Sequence, residues 1–370
     1  MESGEKKRSA PDPVRLIFSI DVEEEGLFRG QFPREHSTVG NVPHLMRLVP
    51  ALARFSLPVT LFCTHRVFTD KTARAALDAM RKAARVEIAA HLHHWDTPPF
   101  ENECRLSDTG YICPGTLAPD LFRRRLESLF AAGRDYNGAP LTSFRMGRWH
   151  LHRWHWPHLA EAGVLVDSSV RPLHYLPQGP DFFNAPAAPY YVPVNGARII
   201  ESPMTCIPLY NSLPGQILAL ERAALSAGTG RAARAFKAGL PKWGVLNLTP
   251  IYHPLWLMKL VTRIHLARGG RFLSLTCHSS ELMPGGTPHL PDQASVAALM
   301  ARLEGYFAWL HGLCAVQGMV LDDLRKYDRI NEIRETDRSG DWIWRPEPDG
   351  GPDSELDSKP GSGPGSEDVA

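Results

Sequence analysis

Residues 14–25 read VRLIFSIDVEEE: a run of strand-forming residues broken only by Arg15 and Ser19, followed without a turn residue by Asp21, Glu23 and Glu24. Near-continuous apolar runs of this kind belong to strands covered on both faces, as in parallel sheets. Similar runs recur downstream as PVTLFC (58–63), RVEIAA (85–90), TSFR (142–145), GVLVD (163–167), RIIES (198–202) and RFLSLTC (271–277). Helical periodicity fills several spacers, at Lys71 to Ala84, Leu121 to Ala132 and Ala294 to Gln317. Seven strands alternating with helices predict parallel βα units, hence an α/β fold. Periodicity suits a barrel and a doubly wound sheet equally. The long spacers Pro172 to Ala197 and Pro203 to Gly270 exceed ordinary βα loops and are candidates to wall a groove, the first through Phe182, Phe183, Tyr190 and Tyr191.

The 370 residues are 43% hydrophobic and 22% charged, enough to bury one large core. Lys and Arg number 41 against 40 acids, so no global field favours nucleic acid or anionic lipid. From residue 346 to 370 the composition turns to Pro, Gly, Ser and acid and predicts a disordered tail. Setting aside its seven acids and one lysine leaves 40 basic and 33 acidic residues in the remainder. The expected organisation is a disordered segment at 1–13, one barrel domain at 14–330, an extension at 331–345 and the tail. Six scattered cysteines without a CxxC, and an N-terminal MESGEKKRSAPDP without an apolar run, read as a cytoplasmic chain with free thiols. No apolar stretch reaches the roughly 18 residues of a spanning helix.

Polar residues gather where the apolar strands stop, the carboxyl edge at which α/β enzymes build active sites. Asp21 and Glu23 lie two apart and share a side in extended chain, with Glu24 facing away. His91 and His93 share a face by the same alternation, with His94 opposite, and so offer two imidazoles to one metal. Arg145 and Arg148 bracket Gly147 and precede Trp149; they suit orientation of a carboxylate and the lining of a sugar face. Asp167 reads as a cap or turn residue. His278 follows a strand and has the intrinsic pKa for proton transfer near neutrality. Together these are the parts of a mononuclear metal hydrolase: ligands, a base, an acid and an orienting cation. The tract RWHLHRWHWPH, with His150, His152, His155 and His158, lacks a carboxylate or cysteine and reads as helix packing.

The ordered series DVE (21–23), EIAAHLHHWDTPP (87–99), FRMGRW (144–149), VDSSV (166–170) and HSSELMPGG (278–286) resembles the NodB-homology polysaccharide deacetylases, carbohydrate esterase family four, and in particular their WalW-like branch. The resemblance runs from about Val14 to about Arg325. It implies a distorted (β/α)7 barrel, a divalent metal, most often zinc, and hydrolysis of an N-acetyl or related amide on a sugar. Carried over by motif, Asp21 is the base, Glu23 the carboxylate ligand, His91 and His93 the imidazole ligands, Arg145 the residue that orients the base and His278 the acid. Trp95, Arg148 and Trp149 are expected to contact the carbohydrate. Two departures stand out. Val22 replaces the second of two adjacent aspartates, so the carboxylate ligand comes from Glu23 or from Asp21 itself. Trp95 occupies the fourth position after His91, so the second imidazole comes from His93 or His94, and alternation favours His93. Two other readings remain open: an amidohydrolase of small ureides or imides, and a carbohydrate-binding barrel without turnover.

Overall fold

The computed structural model describes residues 12–32, 37–100, 117–174, 180–210, 216, 245–327 and 330–332. The expectations for the two termini, for Cys104 and Cys113, and for about half of the second long spacer fall outside these residues. The strands are β1 (Val14–Val22), β2 (Val59–Cys63), β3 (Val86–Leu92), β4 (Ser143–Met146), β5 (Val166–Asp167), β6 (Tyr190–Val194), β7 (Ala197–Glu201), β8 (Cys206–Pro208), β9 (Val245–Asn247), β10 (Phe272–His278), β11 (Val316–Met319) and β12 (Asn331–Glu332). Ten of them form one curled sheet in the order β10-β1-β2-β3-β4-β5-β7-β6-β12, with β11 also paired to β1. All pairs in it are parallel except β6–β7, a hairpin closed by Asn195-Gly196, whose φ values of 45° and 81° suit the tight turn. The architecture is therefore mixed α/β with a parallel half-barrel, as the resemblance implied.

The seven expected strands are β1 to β5, β7 and β10. The added strands are short or lie in the proline-rich spacers. β11 begins in the last two residues of the stretch expected to be helical, because a four-residue strand is defined by its pairing to β1 rather than by its own pattern. The helices are α1 (Val49–Arg54), α2 (His65–Thr69), α3 (Lys71–Ala83), α4 (Pro119–Asn137), α5 (His155–Glu161), α6 (Leu255–Ala267) and α7 (Gln293–Leu313). Local chemistry sets their ends. Asp70 accepts the Ala73 N–H at the start of α3, Asp292 and Ser295 bond reciprocally at the start of α7, and Gly138 ends α4 at φ 72°. No helix among the described residues is long and apolar enough to cross a membrane. The described cysteines, Cys63, Cys206, Cys277 and Cys314, are free thiols.

Strand alternation divides the sheet into two faces. Outward residues such as Leu16, Phe18, Ile20 and Val22 join the main core with the helices. The inward face is graded along the strands. Inward-facing Ile17, Phe62, Ala89, Val166 and Ile200 pack with Met319, Leu321 and Leu324 into a separate apolar plug. In mid-strand Ser19 and Thr276 share a 3.0 Å hydrogen bond. At the carboxyl end the register pairs Asp21 with His278 and His91 with Arg145. The parallel register thus carries four chemically active side chains to one rim, above a floor that excludes water.

Phe182 and Tyr190, expected to line a groove, are 4% and 3% exposed and belong to the main core. Their spacer packs down as a hairpin because its aromatics bury more apolar surface against the sheet than in an open loop. His155 likewise packs between Phe122 and Trp154, with ring centroids at 4.3 and 3.9 Å, and its Nδ1 accepts the His152 N–H.

Candidate active site

Glu23 Oε2 lies 3.6 Å from His91 Nε2 and 3.4 Å from His93 Nε2, and all three side chains are buried. Their donor atoms fall within 4.8 Å of one another, a spacing able to hold one metal ion. The remaining ring nitrogens are already engaged. His91 Nδ1 contacts the Arg145 carbonyl oxygen at 2.9 Å; that oxygen can only accept, so Nδ1 carries the proton and Nε2 presents a lone pair. His93 Nδ1 donates to Glu24 Oε1 at 2.8 Å, which also accepts the Trp95 Nε1–H at 2.6 Å. Second partners of this type fix the ring and raise its basicity as a ligand. The donor set therefore fits a divalent cation by its chemistry as well as its spacing. Glu23 is held through its backbone, whose N–H donates to Ser279 Oγ and whose carbonyl accepts from Asn41 Nδ2.

Glu24 was expected to face away. It does leave the Glu23 side, but it turns inward beneath His93, with no exposed side-chain surface. Burial alone would push its carboxyl up, yet His93 holds it below the usual range. Trp95, expected to meet substrate, is 2% exposed and stacks on His93 at 4.3 Å and 28°. Its place is behind the imidazole, where indole and carboxylate brace the ring together. His94 is buried, edge-on to Trp95.

Asp21 and His278 flank the three donors. Arg145 Nη1 donates to Asp21 Oδ1, while its other nitrogens bond Ser19 Oγ, Ser168 Oγ and the Ser168 carbonyl. Burial raises the Asp21 pKa, but Arg145, with His91 and His278, more than reverses this, so the carboxyl stays ionised below its ordinary range. Asp21 Oδ2 lies 3.8 Å from His278 Nε2. His278 Nδ1 donates to Glu281 Oε1 at 2.6 Å. Burial lowers the His278 pKa, but Glu23, Glu281 and Asp21 raise it to about 9, which makes it a cation at neutral pH. A divalent ion on Glu23 would cancel that carboxylate's share of the shift. Glu281 and Glu24 were not singled out in the sequence. The available signal was their spacing: Glu281 is three residues past His278 on a 3-10 turn, and Glu24 directly follows Glu23.

The rim is aromatic. Phe28 and Trp149 stand edge-on to His278 at 4.9 and 6.3 Å, and Arg148 lies 5.6 Å from the Phe32 ring. His278 keeps 13% of its side chain exposed, against 3% for Asp21.

Gly147 shows how tightly the histidines are held. A Cβ there would stand 2.4 Å from His93 Cδ2 and 2.7 Å from the Leu92 carbonyl oxygen. Gly147→Ala is expected to displace His93 and weaken metal binding at least about tenfold; a competition titration with a chromogenic chelator would show it. Unchanged affinity would mean that His93 is not needed to hold the ion.

Behind Arg145, Asp167 ends β5. It accepts the Ser169 N–H and hydroxyl and hydrogen-bonds the buried Glu201. The turn role expected of Asp167 is present, and Glu201 adds a second buried carboxyl beside it. Burial first, then Asp167, pushes Glu201 well above its ordinary 4.5. A raised acid pKa means the folded state prefers the protonated form, so this stabilisation is complete below the unfolded value and is lost as pH rises through the folded one. Glu201→Gln should therefore gain in melting temperature relative to the parent as pH rises from about 4.5 into the alkaline range. A pH-independent difference would show that Glu201 does not titrate in the fold.

No family model and no curated protein matches this chain. Solved structures do. A candidate polysaccharide deacetylase from Mycobacterium smegmatis is similar over 92% of this chain and 97% of its own, at 18% identity and a TM-score of 0.53. Puue allantoinase is similar over 85% of this chain and 91% of its own, at 15% identity and a TM-score of 0.50. The polysaccharide-deacetylase fold is shared. Both alignments span nearly the whole partner chain, so the likeness covers the half-barrel rather than a local motif.

Proposed function

We propose that this chain is a metal-dependent hydrolase that removes an N-acetyl or related acyl group from a sugar or a sugar-containing precursor, as the motif resemblance to the NodB-homology deacetylases and their WalW-like branch implies. The observation that carries the reading is the Glu23, His91 and His93 donor set beside an Arg145-held carboxylate and a Glu281-held imidazole. The roles follow from these contacts. Glu23, His91 and His93 would hold a divalent cation, with zinc favoured by the carboxylate and imidazole donors. When bound, such an ion supplies a Lewis acid for the acyl carbonyl and lowers the pKa of water.

The protein's own groups do the rest. Arg145 keeps Asp21 ionised, which leaves Oδ2 to accept a proton from the attacking water. His278, charged through Glu281, gives a proton to the departing amine from Nε2. Phe28 and Trp149 shield that proton from bulk water and offer apolar faces to a sugar ring.

Elemental analysis of the purified protein, paired with acetate release from N-acetyl hexosamine donors, tests the reading. About one bound divalent ion and chelator-sensitive release are expected. Release from allantoin but from no acylated sugar would move the substrate to the ureides. No bound ion and no turnover of any amide would sink the proposal. Among single variants, His93→Ala should lose at least about tenfold in metal affinity while His94→Ala keeps it, since the donor set includes His93 and not His94. Equal losses would discard the alternation argument.

A further inference from the structure

Arg148 and Trp149 are consecutive residues at φ 55°, a left-handed conformation that side-chain-bearing residues rarely adopt and that persists where surrounding structure enforces it. The strained turn places the Trp149 indole edge-on to His278 and within 5.2 Å of the Arg171 guanidinium. Trp149 Nε1 is buried and, among the described residues, has no hydrogen-bond acceptor. The same holds for Arg171 Nε, and Arg171 makes no ion pair among the described residues.

The charged surroundings sharpen the point. Burial, reinforced by Arg148, His152 and Arg171, drops His150 to about 4. Burial, then Arg171 and His150, drops His174 to about 3. Both imidazoles are thus held neutral beside these cations. Tyr252, 49% exposed, feels Arg148 and Arg171 on one hand and the active-site carboxylates Glu281 and Glu23 on the other. Arg171 therefore borders the same site.

A guanidinium without a carboxylate and an indole N–H without an acceptor, side by side next to the proposed acid, are donors awaiting an acceptor. An uncharged hydroxyl could satisfy the indole. The guanidinium is matched best by an anionic oxygen group, which it binds with charge-assisted and bidentate hydrogen bonds. We propose that Arg171 and the Trp149 indole form a subsite for an anionic group, a carboxylate or a phosphate, carried by the substrate near its acylated amine. This rests on the hydrolase reading above and adds the charge class of the substrate.

Binding can be read separately from turnover by using deacylated sugars, which the enzyme cannot hydrolyse. Intrinsic tryptophan fluorescence of the full-length protein would be titrated with glucosamine, glucosamine 6-phosphate, glucosamine 1-phosphate and muramic acid. At least one anionic probe should bind about tenfold or more tightly than glucosamine. The preference should shrink as salt rises from roughly 50 to 500 mM. It should disappear in Arg171→Met and survive in part in Arg171→Lys, with circular dichroism confirming that both fold. Muramic acid against the two phosphates shows whether the anion is a carboxylate or a phosphate. Equal binding of neutral and anionic probes, no saturable binding of any anionic probe, or a preference intact in Arg171→Met would overturn the subsite. Acetate release from the corresponding N-acetylated donors is the separate arm: if all fail to turn over while the anionic preference persists, the hydrolase reading falls and the subsite stands.

Discussion

Asp21→Asn is expected to lower kcat by about 10²- to 10⁴-fold, the usual contribution of a positioned general base, while the divalent ion remains bound. Asparagine is nearly isosteric and can still accept from Arg145 through its side-chain oxygen, but it cannot take a proton from water. The three candidate ligands, Glu23, His91 and His93, do not include Asp21, whose Oδ1 is occupied by Arg145 and whose Oδ2 faces His278. Steady-state rates and elemental analysis of the same sample separate the two roles. A variant that empties of metal would make Asp21 a ligand and move the base to Glu23 or Asp167.

Arg145→Met should damage stability as well as rate. It removes the donor to Asp21 together with those to Ser19 Oγ and Ser168, and leaves a carboxylate 2% exposed beside the His278 imidazolium. Breaking one side of a buried ion pair costs about 3–5 kcal/mol, against the near-zero value of an exposed pair. For a domain of this size that corresponds to a drop in melting temperature on the order of 10 °C. The pH dependence fixes the sign. Asp21 has a folded pKa below its ordinary 3.8, so the stability it contributes is present above that value and is lost as pH falls through the folded one. The gap in melting temperature between parent and variant should therefore narrow below about pH 4. In rate, loss of the guanidinium should shift the acid limb of the profile to higher pH. An unchanged melting temperature would mean that Asp21 is neutral in the fold and needs no partner.

The site was legible from the sequence where one local rule acted. Alternation along an extended chain is fixed by backbone geometry, so His91 and His93 could be grouped and separated from His94 before any contact was known. The parallel architecture was legible for the same reason: runs such as VTLFC and RFLSLTC have no polar face and must be covered on both sides. Trp95 was placed wrongly as a surface platform because the rule gives the direction of a side chain but not what already fills that direction. Glu281 escaped notice, and Glu24 was expected only to face away, because a carboxylate after a strand looks the same in sequence whether it meets water or a histidine. The short strands β8, β9, β11 and β12 carry too few residues for a pattern, and only their partners define them.

Local chemistry along the chain thus determined the residue types, the helix caps and the face on which each strand-end side chain stands, since these depend on neighbours within a few positions. Only the tertiary structure decided the register that sets Asp21 beside His278 and His91 beside Arg145, residues 257 and 54 positions apart in the chain. It also decided which polar atoms find partners and which, like Arg171 Nε among the described residues, do not. Parallel pairing is long-range: its register depends on how the apolar plug of Ile17, Phe62, Ala89, Val166 and Ile200 packs as a whole, and no single segment contains that information.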